Sequence, residues 1–170
     1  SEFDGKTITG TYHPTERLSG VRRIEGGIVI DNVTVNLTIE NVNVGYGTDI
    51  IDDAAGILLK GNVRLNLTVK GENSLAGTYR GAGIEVGKDA TLVITENSTG
   101  RLKAVGGAYG AAGIGGNADA FSYFYGDLET KDFDGTKYGT GTIIINGGRI
   151  TAEGGAYQIP QTQDYYGGAG

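Results

Sequence analysis

The chain has no cysteine, no methionine and no tryptophan among its 170 residues, and only two prolines and one histidine. Without cysteine there is no disulfide staple, no thiolate metal site and no thiol nucleophile, so nothing calls for a reducing compartment. Positive charge is also scarce: 14 Lys and Arg stand against 20 Asp and Glu, a formal net charge of −6. The basic residues that do cluster, Lys6, Arg17, Arg22 and Arg23, read as a solvated cap face. No basic stripe of the kind a nucleic-acid partner requires is present. No apolar run approaches the ~18 residues of a membrane-crossing helix. No stretch keeps the i, i+3, i+4, i+7 spacing of an amphipathic helix over three turns. Catalytic signatures are missing as well: there is no G-x-S-x-G and no HExxH. The solvent-facing strand residues are mostly Thr, Asn, Lys and Arg, with few acids stacked to supply the carboxylate pair of sugar hydrolysis. The segment Gly113-Ile-Gly-Gly116 superficially resembles a phosphate cradle, yet no helix pattern follows it. His13 reads as a surface residue. The expectation is a protein that is not an enzyme.

Glycine is what the chain has in excess, at 32 of 170 positions, and it is periodic. Ala55-Gly-Ile57, Ala82-Gly-Ile84 and Ala112-Gly-Ile114 repeat one phrase, and Gly26-Gly-Ile28 fills the same slot earlier. Val35-Asn-Leu-Thr-Ile39 returns as Leu65-Asn-Leu-Thr-Val69, with Thr91-Leu-Val-Ile94 and Thr142-Ile-Ile-Ile145 in the later slots. Gly100-Arg-Leu-Lys-Ala-Val-Gly-Gly107 matches Gly148-Arg-Ile-Thr-Ala-Glu-Gly-Gly155. Once insertions at 117–139 and 158–165 are removed, the period is ~29 residues, which signals a solenoid. Each unit holds about three alternating apolar–polar stretches, the signature of strands with one buried face. The fold class expected is therefore all-β: a single-stranded parallel β-helix of about five coils with inserted loops, right-handed by the general crossover preference. Leu67, Val93 and Ile144 are expected to stack inward. Residues 1–170 form one domain, with 1–25 as an N-terminal cap region. The opening Ser1-Glu2-Phe3 reads as a cloning remnant. Because Tyr166-Gly-Gly-Ala-Gly170 stops one residue short of its Ile, the chain reads as a fragment of a larger surface protein, open to end-to-end self-association.

The stretches Gly141-Thr-Ile-Ile-Ile-Asn-Gly-Gly-Arg-Ile-Thr-Ala-Glu-Gly-Gly155 and Gly107-Ala-Tyr-Gly-Ala-Ala-Gly-Ile-Gly-Gly-Asn117 resemble the GGxITAxGG…GAAGIGG repeats of large bacterial surface proteins. They are also similar to β-helical carbohydrate-binding and adhesin domains. The resemblance covers roughly residues 55–170. It implies a β-helix at the cell surface or outside the cell, working in adhesion. The carbohydrate-binding family carries Asp-Gly-Ile corners that bind calcium. Here the corners are Ala-Gly-Ile, so that calcium is not carried over.

Candidate contact residues lie in two places. Tyr79, Tyr109 and Tyr166 share one offset ahead of Ala-Gly, which predicts a ladder of rings up one corner; Tyr46 and Tyr157 precede insertions at the same corner. Such rings suit the apolar faces of sugars, or they stack on one another and stabilise the solenoid. The insertion 117–139 holds Phe121, Tyr123, Phe124, Tyr125, Phe133 and Tyr138, of which Tyr123, Phe124, Tyr125 and Tyr138 join the expected contact face. A loop this long in a compact repeat is usually functional or disordered, and its aromatic content argues against disorder. Within it Asp127, Glu129, Asp132 and Asp134 set oxygens at near-alternate positions ahead of Gly135, a loose calcium loop. Asp49, Asp52 and Asp53 form a weaker acidic corner. The four N-x-[ST] triplets, at Asn32, Asn36, Asn66 and Asn97, read as ordinary strand and corner residues rather than glycan acceptors. The expected partner is a glycan or a host surface protein. The alternatives are a structural spacer displaying other domains and a degenerate polysaccharide lyase or hydrolase.

Overall fold

The computed structural model describes residues 4–12, 27–45, 54–108, 110–117, 140–158 and 165–167, and among these every regular element is a β-strand. Period-two patterning is the local cause. In the strand Arg64–Lys70, Leu65, Leu67 and Val69 are buried, and the polar residues between them face outward.

The strands line up in three parallel ladders. The first runs β2 (Ile28–Asp31), β4 (Ile57–Lys60), β7 (Ile84–Val86) and β10 (Ile114–Gly115). The second runs β3 (Thr34–Val44), β5 (Arg64–Lys70), β8 (Thr91–Ile94) and β11 (Thr142–Ile145). The third starts from the far end of β3 and continues through β6 (Glu72–Ala76), β9 (Arg101–Val105) and β12 (Arg149–Glu153). The repeat read from the sequence is thus the pairing register: Ile28, Ile57, Ile84 and Ile114 are successive partners, and Arg101 faces Arg149. Parallel partners need long crossovers, and in this chain the other two ladders supply them. One continuous core draws on all three, with Leu59, Ile84, Leu67, Ile94, Leu75 and Leu102 among its members.

β3 serves two ladders because it bends at Asn41, where φ is 55°. Asn tolerates this left-handed region better than other side chains. In the next unit Gly71 takes the bend at φ 62°, where a Cβ would strike the Asn41 side-chain amide. Asn41 Oδ1 there accepts from the Glu72 amide at 3.1 Å. β1 (Lys6–Tyr12) follows β3 from Leu37 to Val44, and its register slips between Thr9 and Gly10 so that it skips Asn41.

One expectation changes. Leu67 pairs with Ile94, while Val93 pairs with Asn66 and Ile144 with Val93. The register row of Leu67 is therefore Leu37, Ile94 and Ile145, and Val93 and Ile144 continue the row of Asn36 and Asn66. Val93 is still buried there, while at the end of the ladder Ile144 and Ile145 are both exposed. A shift of one residue moves a side chain to the other face of a strand. Leu67→Ala is accordingly expected to cost about 2–5 kcal/mol. Ile144→Ala, at a side chain 38% exposed, should stay under about 1 kcal/mol. Equal losses in urea melts would contradict this register.

β13 (Ala156–Gln158) and β14 (Tyr165–Gly167) depart from the parallel rule. They pair antiparallel across the 158–165 insertion.

Candidate functional site

The corner that joins the third ladder to the first is built on Ala-Gly-Ile. Gly56 N donates to Ala82 O at 3.1 Å, and Gly83 N donates to Ala112 O at 3.2 Å. The isoleucines continue the pattern, with Ile57 N to Gly83 O at 3.1 Å and Ile84 N to Gly113 O at 2.9 Å. These bonds bring the backbones so close that a Cβ on Gly83 would lie 2.6 Å from Gly113 O.

Upstream of that phrase the chain makes a short loop, and here the structure sets Tyr79. Thr78 clamps the loop to the preceding unit: its amide donates to Ala54 O at 2.8 Å, and its hydroxyl accepts from Ala54 N at 2.9 Å. Gly81 N then closes on Thr78 O at 2.6 Å. Between these anchors Tyr79 is held half-buried at φ 40°. For a bulky side chain this is a strained conformation, costing about 1–3 kcal/mol, and it persists only where the surroundings over-determine it. The neighbouring loops pack on this one. Gly107 N donates to Gly81 O, and Gly155 N to Ala111 O, both at 2.9 Å. The Tyr79 loop, Gly107 and Ala111 of the next unit, and Gly155 just ahead of β13 therefore share one corner.

The tyrosines of β13 and β14 are placed by pairing. Tyr157 and Tyr166 are direct cross-strand partners in the antiparallel hairpin. Tyr109, Tyr123, Phe124, Tyr125 and Tyr138 lie outside the described residues, as do Asp127, Glu129, Asp132 and Asp134 of the expected calcium loop. Tyr46, His13 and the Asp49, Asp52 and Asp53 corner lie outside them too. Among the described residues no group of three His, Cys, Asp or Glu side chains is placed to hold a metal ion.

Outward faces carry polar ladders. Asn66 Nδ2 donates to Asn36 Oδ1 at 2.9 Å, and the Thr68 and Thr95 hydroxyls are 2.8 Å apart. Lys103 meets Glu153 at 3.0 Å and Arg101 meets Glu72 at 3.5 Å, both about half exposed or more. Such exposed pairs add under about 1 kcal/mol each.

Two polar residues escaped the sequence reading. Buried Asn73 occupies a slot whose neighbour in the next unit is Leu102. An amide in an inward position of an alternating strand was the available signal. Exposed Asp4 has no repeat partner to mark it. Its carboxylate accepts from the Asn36 amide at 2.8 Å and from Asn36 Nδ2 at 2.9 Å. The backbone bond first, then the side-chain bond, holds this carboxyl below its ordinary value. A depressed carboxylate stabilises above its unfolded pKa, and the effect is lost as pH falls through the folded one. The Asn36 backbone and side-chain amide resonances are therefore expected to shift together in an acid titration, with a midpoint below the usual carboxylate range. An ordinary midpoint would contradict the clamp.

Comparison with protein-family models, with curated proteins and with solved structures gives no match. The functional reading stands on the residues and their geometry.

Proposed function

We propose that the three ladders close into a single-stranded, right-handed parallel β-helix of about five coils, and that it serves as a non-catalytic adhesion module. In this reading it belongs to a bacterial surface protein and acts outside the cell, binding carbohydrate or a host surface ligand. The parallel registers and the shared core support the helix. The resemblance of the GGxITAxGG and GAAGIGG phrases supports the setting.

The observation that carries the binding role is Tyr79. A strained backbone at a half-buried aromatic, fixed by a clamp of three hydrogen bonds, sets a ring at the corner where neighbouring loops converge. Aromatic rings take the apolar faces of sugars, and phenol oxygens reach their hydroxyls. Tyr79→Gly separates the two roles of this residue. Glycine relieves the positive φ at no steric cost. If the ring serves a ligand, the variant keeps or gains stability and weakens glycan binding about two- to tenfold, while Tyr79→Phe keeps most of it. A glycan array followed by calorimetry reads the binding, and thermal melts read the stability. A variant that binds as the parent does, or an array with no ligand, would overturn this role.

The spacer reading has its own observation. Asn66 bonds to Asn36, and Thr68 bonds to Thr95, so these polar groups are engaged within the protein. They favour a face whose purpose is stiffness.

A further inference from the structure

We propose that the outer edge of β2 is a strand-acceptor site. It takes an extended segment of the form Gly-aliphatic-x-aliphatic-Lys from another chain and adds it, parallel, as a fresh rung on the first ladder. This inference is independent of the glycan reading.

The ladder order β10, β7, β4, β2 leaves β2 at one end, with no described strand on its far side. On the neighbouring ladders β1 already supplies that rung by pairing along β3. The result is a step one strand wide. A recess of about 190 Å³ opens there, lined by Ile8, Ile28, Ile30, Val33, Val35 and Leu37 among others. The same row shows what a further rung does: Ile57 and Ile84 are 2% and 0% exposed, whereas Ile28 remains only partly buried. Val29 is 39% exposed.

Backbone polarity favours the same occupant. The amides of Ile28 and Asn32 donate toward β4, to Gly56 O and Lys60 O. Strand alternation therefore turns the Val29 and Asp31 amides to the opposite edge, where an added strand meets them. The first ladder also specifies the side chains. Gly27, Gly56 and Gly83 precede its isoleucines, and Ile30, Leu59 and Val86 fill the second inward slot. Asp31 and Lys60 are register partners within the chain, so a lysine at the equivalent position of the incoming strand falls beside the Asp31 carboxylate, which also accepts from Asn32 Nδ2. The segment 54–61 (Ala-Ala-Gly-Ile-Leu-Leu-Lys-Gly) has this form.

The test titrates the intact chain with a synthetic peptide of residues 54–61. Its comparator is the same peptide carrying Ile57→Asn and Leu59→Asn, so the protein itself stays unaltered. The expected result is saturable one-to-one binding of the first peptide only, with slowed hydrogen exchange at the Val29 and Asp31 amides. At five times its Kd the peptide should raise the Tm by about 2–4 °C. Asp31→Asn in the protein should weaken binding about two- to fivefold, the effect of one exposed ion pair. No binding, equal binding of the comparator, or protection that appears on Thr142–Ile145 of β11 instead would overturn the proposal.

Discussion

Gly83→Ala is expected to lower stability by about 3–5 kcal/mol, against the usual direction for this substitution. Gly→Ala ordinarily stabilises by about 0.4–1 kcal/mol, because it restricts the unfolded chain. At Gly83 the added Cβ would stand 2.6 Å from both Gly113 O and Val105 N, and 2.9 Å from Leu75 O. All three are backbone atoms of ladder strands or of the Ala-Gly-Ile corner, and none can swing aside. Relief requires separating neighbouring units, which breaks Gly83 N to Ala112 O and Ile84 N to Gly113 O. Overpacking at about 1–3 kcal/mol and two hydrogen bonds at about 1 kcal/mol each give the stated loss. Gly45→Ala is the control, since a Cβ there meets nothing nearer than 3.9 Å. Urea melts of both variants decide. A Gly83→Ala protein as stable as Gly45→Ala would mean that the units are not stacked as closely as described.

The second large effect is expected at Asn73. Its Oδ1 accepts from Val42 N at 2.9 Å, and its Nδ2 donates to Lys70 O at 2.7 Å and Arg101 O at 3.1 Å. One buried amide therefore ties three successive units. Asn73→Ala leaves a buried N–H and two carbonyls without it, at about 1–3 kcal/mol for each group that water does not reach. A loss of about 3–5 kcal/mol is expected. Asn66→Ala, on the outward ladder, should lose under about 1 kcal/mol. Similar losses for the two would show that the interior amide is not the tie described.

The contrast between Asn73 and the Ala-Gly-Ile corner explains what could be read in advance. A glycine forced by close backbone approach must recur wherever the units touch. Ala55-Gly-Ile57, Ala82-Gly-Ile84 and Ala112-Gly-Ile114 thus announced the pairing register itself. The alternation of Leu65-Asn-Leu-Thr-Val69 likewise told inside from outside. It failed at Thr91-Leu-Val-Ile94 and Thr142-Ile-Ile-Ile145, where three aliphatics run together and period two leaves no mark. Pairing then decided the row, and Val93 and Ile144 fell in that of Asn36 and Asn66. β1 was invisible for a different reason: Lys6-Thr-Ile-Thr-Gly-Thr-Tyr12 repeats no phrase, and β3 alone selects it. Tyr166 illustrates the limit of spacing. Its distance from Ala-Gly matches that of Tyr79, yet its partner is Tyr157 in an antiparallel hairpin. Of the expected contact face the sequence marked Tyr79, but not the Thr78 clamp that strains it, because that clamp is made to Ala54, 24 residues away.

The parallel stacking of units is tested most directly by disulfide trapping, for which a chain without native cysteine has no background. Asn36 and Asn66 are register partners, and adjacent strands lie about 4.8 Å apart, within disulfide reach. The double variant Asn36→Cys with Asn66→Cys, and likewise Asn66→Cys with Val93→Cys, is expected to oxidise readily to an intramolecular disulfide in the folded protein. Asn36→Cys with Leu67→Cys, one residue out of register and on opposite faces, should not. Ready crosslinking of that last pair, or failure of the first two, would contradict the stacked parallel units.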